Sequence, residues 1–194
     1  MTTTMNETRA DAPDLNTGAD GRDLLARWRA EEAAVRARMA AVGVARPEQV
    51  AGKTGLQVLE AMLAGELPAV PIGATLDFVP IEVAYGRAVF QGRPGLQHYN
   101  PLGSVHGGWF AALLDSALGC AVHTTLPSGK GYTTAELKIN IVRPLTDKVP
   151  LVRAAGNLIH LGSRMATADG RLTGPDGKLY AHASTTCFIF DTRP

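Results

Sequence analysis

Asn100-Pro101-Leu102-Gly103-Ser104-Val105-His106-Gly107-Gly108 leads without a break into Trp109-Phe110-Ala111-Ala112-Leu113-Leu114-Asp115-Ser116-Ala117-Leu118-Gly119-Cys120-Ala121-Val122. The first stretch is a polar loop that ends in His-Gly-Gly. The second reads as a helix, about Gly107–Val122, apolar almost all round. A helix of that composition is buried on every side, so the rest of the domain has to wrap it. It carries one carboxylate, Asp115. An isolated ionised carboxylate in apolar surroundings is costly unless something balances it. Where such a cost is tolerated, a functional site is a reasonable expectation.

The flanking segments supply the wrapping. Ala74–Val83 and Arg87–Gln91 read as strands joined by a Tyr85-Gly86 hairpin turn. After Pro127-Ser128-Gly129 the pattern predicts strands at about Thr133–Val142, Val149–Leu161, Ser163–Thr173 and Lys178–Phe190. Thr133, Ala135, Leu137, Ile139 and Ile141 alternate with Thr134, Glu136, Lys138 and Asn140, the period of a half-buried antiparallel strand. On that pattern Thr134 lies on the polar face. Gly174-Pro175-Asp176-Gly177 marks the turn between the last two strands. The expected fold class is α+β, with one antiparallel sheet curled around a central helix.

Upstream, residues 1–20 read as a disordered leader, residues 21–72 as an N-terminal helical extension and residues 73–194 as the main domain. From Gly21 to about Val42 the chain is dense in good helix formers. Leu24, Leu25, Trp28, Val35 and Met39 make one apolar stripe, which Glu31 and Glu32 interrupt, predicting a narrow packing face. Arg27, Arg29, Arg36 and Arg38 read as a solvated face partly balanced by those two acids. Thr54 caps a second helix, Gly55–Ala64, with Leu56, Val58, Leu59 and Met62 as apolar members. Gly65 ends it, and Pro68 and Pro71 follow.

Composition excludes several classes. The 194 residues fit one domain with an appendage, and 45% hydrophobic content suffices for a core. Nineteen basic against 18 acidic residues leave a net charge of +1, no footprint for nucleic acid. No apolar run is long enough to span a membrane, and residues 1–20 lack an apolar signal core. Cys120 and Cys187 sit in apolar runs and read as buried free thiols rather than a disulfide. Together these features predict a soluble cytoplasmic protein. The five histidines, His98, His106, His123, His160 and His182, show no metal-ligand spacing with the cysteines. Phosphate-loop and dinucleotide fingerprints are absent, and Ser104 is not in a nucleophile elbow. No metal and no cofactor are expected.

The chemistry concentrates in the loop and helix. At a helix start the first N–H groups lack intrahelical partners and lie at the positive end of the dipole. Glycine lets a ligand approach that backbone closely. Gly107 and Gly108 therefore suit a carbonyl oxygen that gains negative charge during acyl transfer; a tight entry into the helix accounts for both glycines equally well. Asp115 lies eight positions beyond Gly107, roughly 12 Å along the axis at about 1.5 Å per residue. One small reacting group cannot touch both within one chain. Two such helices paired antiparallel about a two-fold axis would bring Asp115 of one subunit near Gly107 of the other, which predicts an obligate dimer with composite sites. The alternative for Asp115 is a structural acid bonded to backbone or to a hydroxyl, such as Ser116 or a strand threonine. Asn100 can hold a water or fix the loop, and His106 can bond the loop or a substrate carbonyl. Thr134 either holds a water near the acid or is a solvent-facing hydroxyl.

Asn100-x-x-Gly103-x-x-His106-Gly107-Gly108, followed by Leu114-Asp115-x-Ala117-x-Gly119, closely resembles the hotdog-fold acyl-CoA thioesterases of the phenylacetic-acid-degradation (PaaI) type. Leu137-x-Ile139-x-x-x-Arg143-Pro144 resembles the strand that follows in that family. The resemblance covers about Ala74–Phe190 and leaves residues 1–70 outside the minimal domain. It implies a hotdog fold and hydrolysis of an acyl-CoA thioester by a homodimer or homotetramer. It further implies that Asp115 is the nucleophile or general base and that the Gly107 N–H polarises the thioester carbonyl. Asn100 and His106 would position the thioester or the attacking water, with Thr134 assisting. Gly108, Gly162, Ser163, Arg164 and Arg143 are the implied substrate-binding residues, the two arginines as candidates for the CoA phosphates. Position alone assigns the far wall of the pocket to the second helix, around Leu59 and Met62, and to other subunits. The competing reading is a non-catalytic acyl-CoA-binding module on the same fold; Asp115 favours the enzyme, because a pure binder has no use for a carboxylate at the thioester.

Overall fold

A computed structural model, describing residues 17–192, places the apolar helix inside one curled sheet. The helices are α1 (Thr17–Arg38), α2 (Pro47–Val50), α3 (Gly55–Ala64), α4 (Pro71–Leu76) and α5 (Gly107–His123). The strands are β1 (Phe78–Ala84), β2 (Arg87–Gly92), β3 (Lys130–Ile141), β4 (Val152–Leu161), β5 (Met165–Thr173) and β6 (Leu179–Asp191). Every pairing is antiparallel, in the order β1-β2-β4-β5-β6-β3. The sheet therefore ends on β1 at one edge and β3 at the other, on either side of α5. The expected leader lies outside the described residues over positions 1–16.

Helix α5 is held by close approach as much as by apolar bulk. Leu113, Leu114, Ala117, Leu118, Ala121 and Val122 expose no surface at all, and burial of each leucine or valine contributes about 1.5–3 kcal/mol. A Cβ added to Gly156 on β4 would fall 2.4 Å from the Ala117 carbonyl oxygen. One added to Gly170 on β5 would fall 2.6 Å from Leu118 Cδ1. Two strands thus carry glycine where the helix presses on them. Phe78 and Phe90 meet edge to face at 6.1 Å and close the β1–β2 end of the core.

Several boundaries differ from the sequence expectation, each for a local reason. Residues 74–76 belong to α4, not to the first strand: Pro71 opens that helix and Asp77, in the left-handed region at φ 52°, closes it. The Trp109 indole N–H donates to the Leu76 carbonyl at 2.8 Å and fixes the turn into β1. The first helix stops at Arg38 rather than near Val42. The next residues run extended beside Ala69, with Gly43 N–H donating to its carbonyl at 2.9 Å. Helix α3 has the predicted bounds. Thr54 Oγ1 accepts from Gln57 N–H, and Gln57 Oε1 accepts from Thr54 N–H, a reciprocal cap.

The expected narrow stripe on α1 is corrected too. Glu32 does not interrupt the packing face but belongs to it: Trp28, Glu32 and Val35 recur at helical spacing and all three are buried. The helix lies on β1. Glu32 Oε1 accepts from Arg36 Nε at 2.6 Å and from Arg93 Nε at 2.7 Å. Its Oε2 accepts from Gln91 Nε2 at 2.8 Å. Arg36 also reaches Asp77 at 2.5 Å, so it is not part of a merely solvated face. Arg153 pairs with Glu31, donates to Gln91 Oε1 and lies over the Trp28 ring at 4.5 Å. Burial works against the Glu32 charge, but the Arg36, Arg93 and Gln91 hydrogen bonds outweigh it and hold that carboxyl below the usual range. A polar network thereby docks the helical extension onto β2 and β4.

Candidate active site

Helix α5 is not covered all round. Ala111, Ala112, Asp115, Ser116, Cys120 and His123 are half-buried and form the face that the sheet leaves open. Asp115 stands at the middle of it. Its Oδ1 accepts from Thr134 Oγ1 at 2.9 Å, so the acid's partner is the strand threonine. Ser116 is engaged elsewhere, donating to the Ala112 carbonyl at 2.8 Å.

Strict alternation placed Thr134 on the outer face, and the structure corrects this. A bulge lies between Thr134 and Glu136, whose partners Cys187 and Thr186 are adjacent. The extra residue, Ala135, flips the alternation. Tyr132 and Thr134 on one side of the bulge, and Leu137 and Ile139 on the other, then all sit half-buried on the inner side. Tyr132 was the available signal, because an aromatic two residues before Thr134 belongs on the same face.

Asp115 opens onto a cavity of about 210 Å³. Ser116, Cys120 and Tyr132 line it beside the acid, and the remaining walls come mostly from apolar side chains before and on β1 and β2. Gly119 makes room for Tyr132: a Cβ there would fall 2.8 Å from the ring. Burial, with the Asp115 charge adding to it against a Tyr132 hydrogen bond, pushes the Cys120 thiol up to about 12. Burial also raises the Cys187 thiol and the Tyr132 phenol. Both cysteines are free, and at neutral pH both are thiols rather than nucleophilic thiolates.

The loop residues gather elsewhere. Asn100 Oδ1 accepts from Leu102 N–H at 2.9 Å and Ser104 N–H at 3.3 Å, and its Nδ2 donates to Ser104 Oγ at 3.1 Å. Gly103, at φ 84°, lets the loop close on itself. His106 caps α5, its Nδ1 accepting from Gly108 N–H at 2.9 Å. The Gly107 N–H meets no acceptor among the described residues. Asn100, Ser104, Gly107, Ile141 and Arg143 line a second pocket of about 330 Å³. Gly162, Ser163 and Arg164 form the β4–β5 turn, with Arg164 exposed and its carbonyl accepting from Ile189 N–H.

The predicted site residues therefore divide. Asp115 and Thr134 are together, and Asn100, Gly107 and Arg143 are together in a separate pocket, with His106 and Gly108 at the start of α5 beside it. His98 is a feature the sequence did not single out. It is buried against Trp109 at 5.4 Å, accepts from Gly95 N–H on Nδ1, and leaves Nε2 without a partner. Burial lowers its pKa against an opposing pull from Asp77. Among the described residues no group of three or more His, Cys, Asp or Glu could hold a metal ion. No described helix is long and apolar enough to cross a membrane.

Comparison with known proteins agrees with this architecture. A family model described as the thioesterase superfamily matches residues 102–181. A solved phenylacetic acid degradation-related protein from Ralstonia eutropha is 31% identical, with 66% of this chain covering 97% of that one at a TM-score of 0.61. A mutant of the phenylacetic acid degradation protein PaaI from Thermus thermophilus is 29% identical, with 61% of this chain covering 97% of that one at a TM-score of 0.55. A Caenorhabditis elegans protein with an esterase name is 29% identical over 120 residues, 61% of this chain and 69% of that protein. The family match over residues 102–181 takes in α5 and strands β3 to β5, and with the Ralstonia protein's similarity it places the chain in the thioesterase superfamily as a hotdog-fold protein of the PaaI type.

Proposed function

We propose that this protein hydrolyses acyl-CoA thioesters at composite sites built by two copies of the chain. The observation that carries the reading is the division just described: a threonine-held carboxylate at one place on α5, and an unpartnered N–H at its start. Their separation, roughly 12 Å at about 1.5 Å per residue, suits complementary halves of two sites rather than one. The 12-residue strand β3 also ends the sheet, and a long free edge of that kind favours pairing with a second strand. Edge-to-edge pairing about a two-fold axis sets the two α5 helices antiparallel and brings Asp115 of one copy toward Gly107 of the other.

In such a site the Gly107 N–H donates to the thioester carbonyl oxygen, and the α5 dipole favours the charge that builds there. Asp115 supplies the basic oxygen. As general base it takes a proton from water while the water oxygen attacks the carbonyl carbon. The C–S bond then breaks, the sulfur leaves with a proton as the CoA thiol, and the acyl group leaves as the free acid. As nucleophile the same carboxylate oxygen forms an anhydride that water opens, with the same overall balance. Thr134 orients the carboxylate, and Asn100 and His106 fix the loop that presents Gly107 and Gly108. Arg143 and Arg164, with Gly162 and Ser163, are assigned to the CoA moiety; both arginines are exposed, as phosphate contacts need to be. Two unpaired cysteines fit a reducing, cytoplasmic setting.

A thiol-release assay over a panel of acyl-CoAs tests the reading. Turnover by wild type, falling about 10²- to 10⁴-fold in Asp115→Asn, is expected. Absence of turnover on every acyl-CoA points instead to a non-catalytic acyl-CoA binder, and unchanged turnover in the variant removes Asp115 from the reaction.

A further inference from the structure

The cavity at Asp115 is built largely by the part of the chain that precedes the sheet. Val35 reaches it from α1, Met39 from just past the end of that helix, Leu59 and Met62 from α3, and Ile72, half exposed, stands at its rim. The relatives do not extend over all of this chain: 97% of the Ralstonia protein is matched by 66% of it. The surplus is comparable in size to the segment before β1. Residues from Val35 to Ile72 thus have a place in the fold that the family resemblance did not give them, as one wall of a cavity whose floor is a carboxylate.

We infer that α1 and α3 form the acyl-binding wall of the active site and set the length of acyl chain it takes. The inference rests on the proposed thioester chemistry. If the reacting carbon sits at Asp115, the acyl tail and the CoA leave it in different directions. The apolar walls reject the charged CoA and accept a hydrocarbon tail. The cavity volume, about 210 Å³, lies below the roughly 300–1,000 Å³ of pockets that hold whole drug-sized ligands, which suits a short acyl group alone. The wall is firmly seated, because the Glu32 network ties α1 to Gln91 and Arg93 on and beside β2. Tail length is therefore read against side chains that hold their place. Met62 on α3 is the residue whose size sets the limit most directly, being half-buried on the cavity side with a side chain that makes no cap or ion pair.

The test uses S-alkyl-CoA thioethers, which have no carbonyl and bind without reacting. Isothermal titration of the full-length protein with S-methyl-, S-butyl-, S-hexyl- and S-dodecyl-CoA reads the pocket apart from catalysis. Wild type is expected to bind about fourfold tighter per added methylene over the short tails and to stop gaining at dodecyl. Met62→Trp fills the cavity, and the difference between methyl and hexyl collapses. Met62→Ala enlarges it, and the stopping point moves to longer tails; it also guards against a tryptophan variant that does not fold. Equal dependence on tail length in all three proteins overturns the inference even where thioester turnover is found. Conversely, a wild type that shows the tail-length series but hydrolyses nothing keeps the pocket and loses the enzyme. Absence of binding to any thioether overturns both.

Discussion

Replacing Glu32 by glutamine removes a fully buried charge that ties the helical extension to the sheet. Breaking a buried ion pair costs about 3–5 kcal/mol when the surviving charge stays buried. Here the survivors do better than that. The Arg36 and Arg93 side chains are 34% and 48% exposed and regain water, and Arg36 keeps Asp77. The glutamine amide, however, places a donor where Glu32 accepted from Gln91 Nε2, and an unsatisfied buried donor costs about 1–3 kcal/mol. The expected loss for Glu32→Gln is about 2–3 kcal/mol. Urea denaturation followed by Trp fluorescence measures it, with Trp28 on α1 beside the network and Trp109 on α5 in the core. A loss of less than about 0.5 kcal/mol, the level of an ordinary surface substitution, would refute the view that this network docks the extension. The pH dependence carries a second check. The folded-state pKa of Glu32 is held below its ordinary value of 4.5, so its contribution is fully present above that value. It is lost as pH falls through the lower folded value. The gap between wild type and variant should stay constant through neutral pH and narrow below about pH 4.5.

Other expectations follow from single contacts. Thr134→Val removes the donor to Asp115; turnover should fall about tenfold with a stability loss of about 1 kcal/mol, and thiol release beside a melting curve separates the two. Gly156→Ala puts a methyl 2.4 Å from the Ala117 carbonyl oxygen, a backbone atom that cannot swing aside as the end of a flexible side chain could. A loss of about 3 kcal/mol or more is expected in urea, and a loss below about 1 kcal/mol would contradict the close approach of α5 to β4. Burial lowers the His98 pKa below 6.5 despite the opposing Asp77 charge. Its neutral form therefore contributes stability above that value that is lost as pH falls through the folded value. An imidazole NMR titration that puts His98 above 6.5 would reverse the sign.

Much of the fold was legible because it rests on period and punctuation. The almost wholly apolar α5, the Tyr85-Gly86 and Gly174–Gly177 turns and the capped α3 each follow from local residues. What escaped depended on tertiary partners. Glu32 looked like a break in a stripe because two of the residues that hold its carboxylate, Arg93 and Gln91, are about sixty positions away. Thr134 looked outward because one inserted residue, Ala135, inverts the alternation, and a stretch of small polar residues gives hydropathy nothing to register. The candidate site residues could be picked out as chemical types near α5, and the roughly 12 Å between Gly107 and Asp115 follows from their spacing; which face of α5 the sheet leaves open, and so which pocket each residue lines, is geometric.

The composite site is the central claim, and subunit mixing tests it most directly. Gly107→Pro deletes the N–H in question and adds a ring whose Cβ would meet the flexible end of the Ile141 side chain at 3.3 Å. Proline is accepted at the first helical position, and His106, at φ −64° and ψ 140°, already has the extended conformation that a following proline requires. Asp115→Asn and Gly107→Pro should each be nearly inactive as pure proteins. Unfolded together in equal amounts and refolded, half of the dimers are mixed, and each mixed dimer holds one intact site of two. Recovery of about a quarter of wild-type thioesterase activity is predicted. If the mixture stays as inactive as its parents while mixed dimers are shown to form, Asp115 and Gly107 act within one chain and the account is wrong.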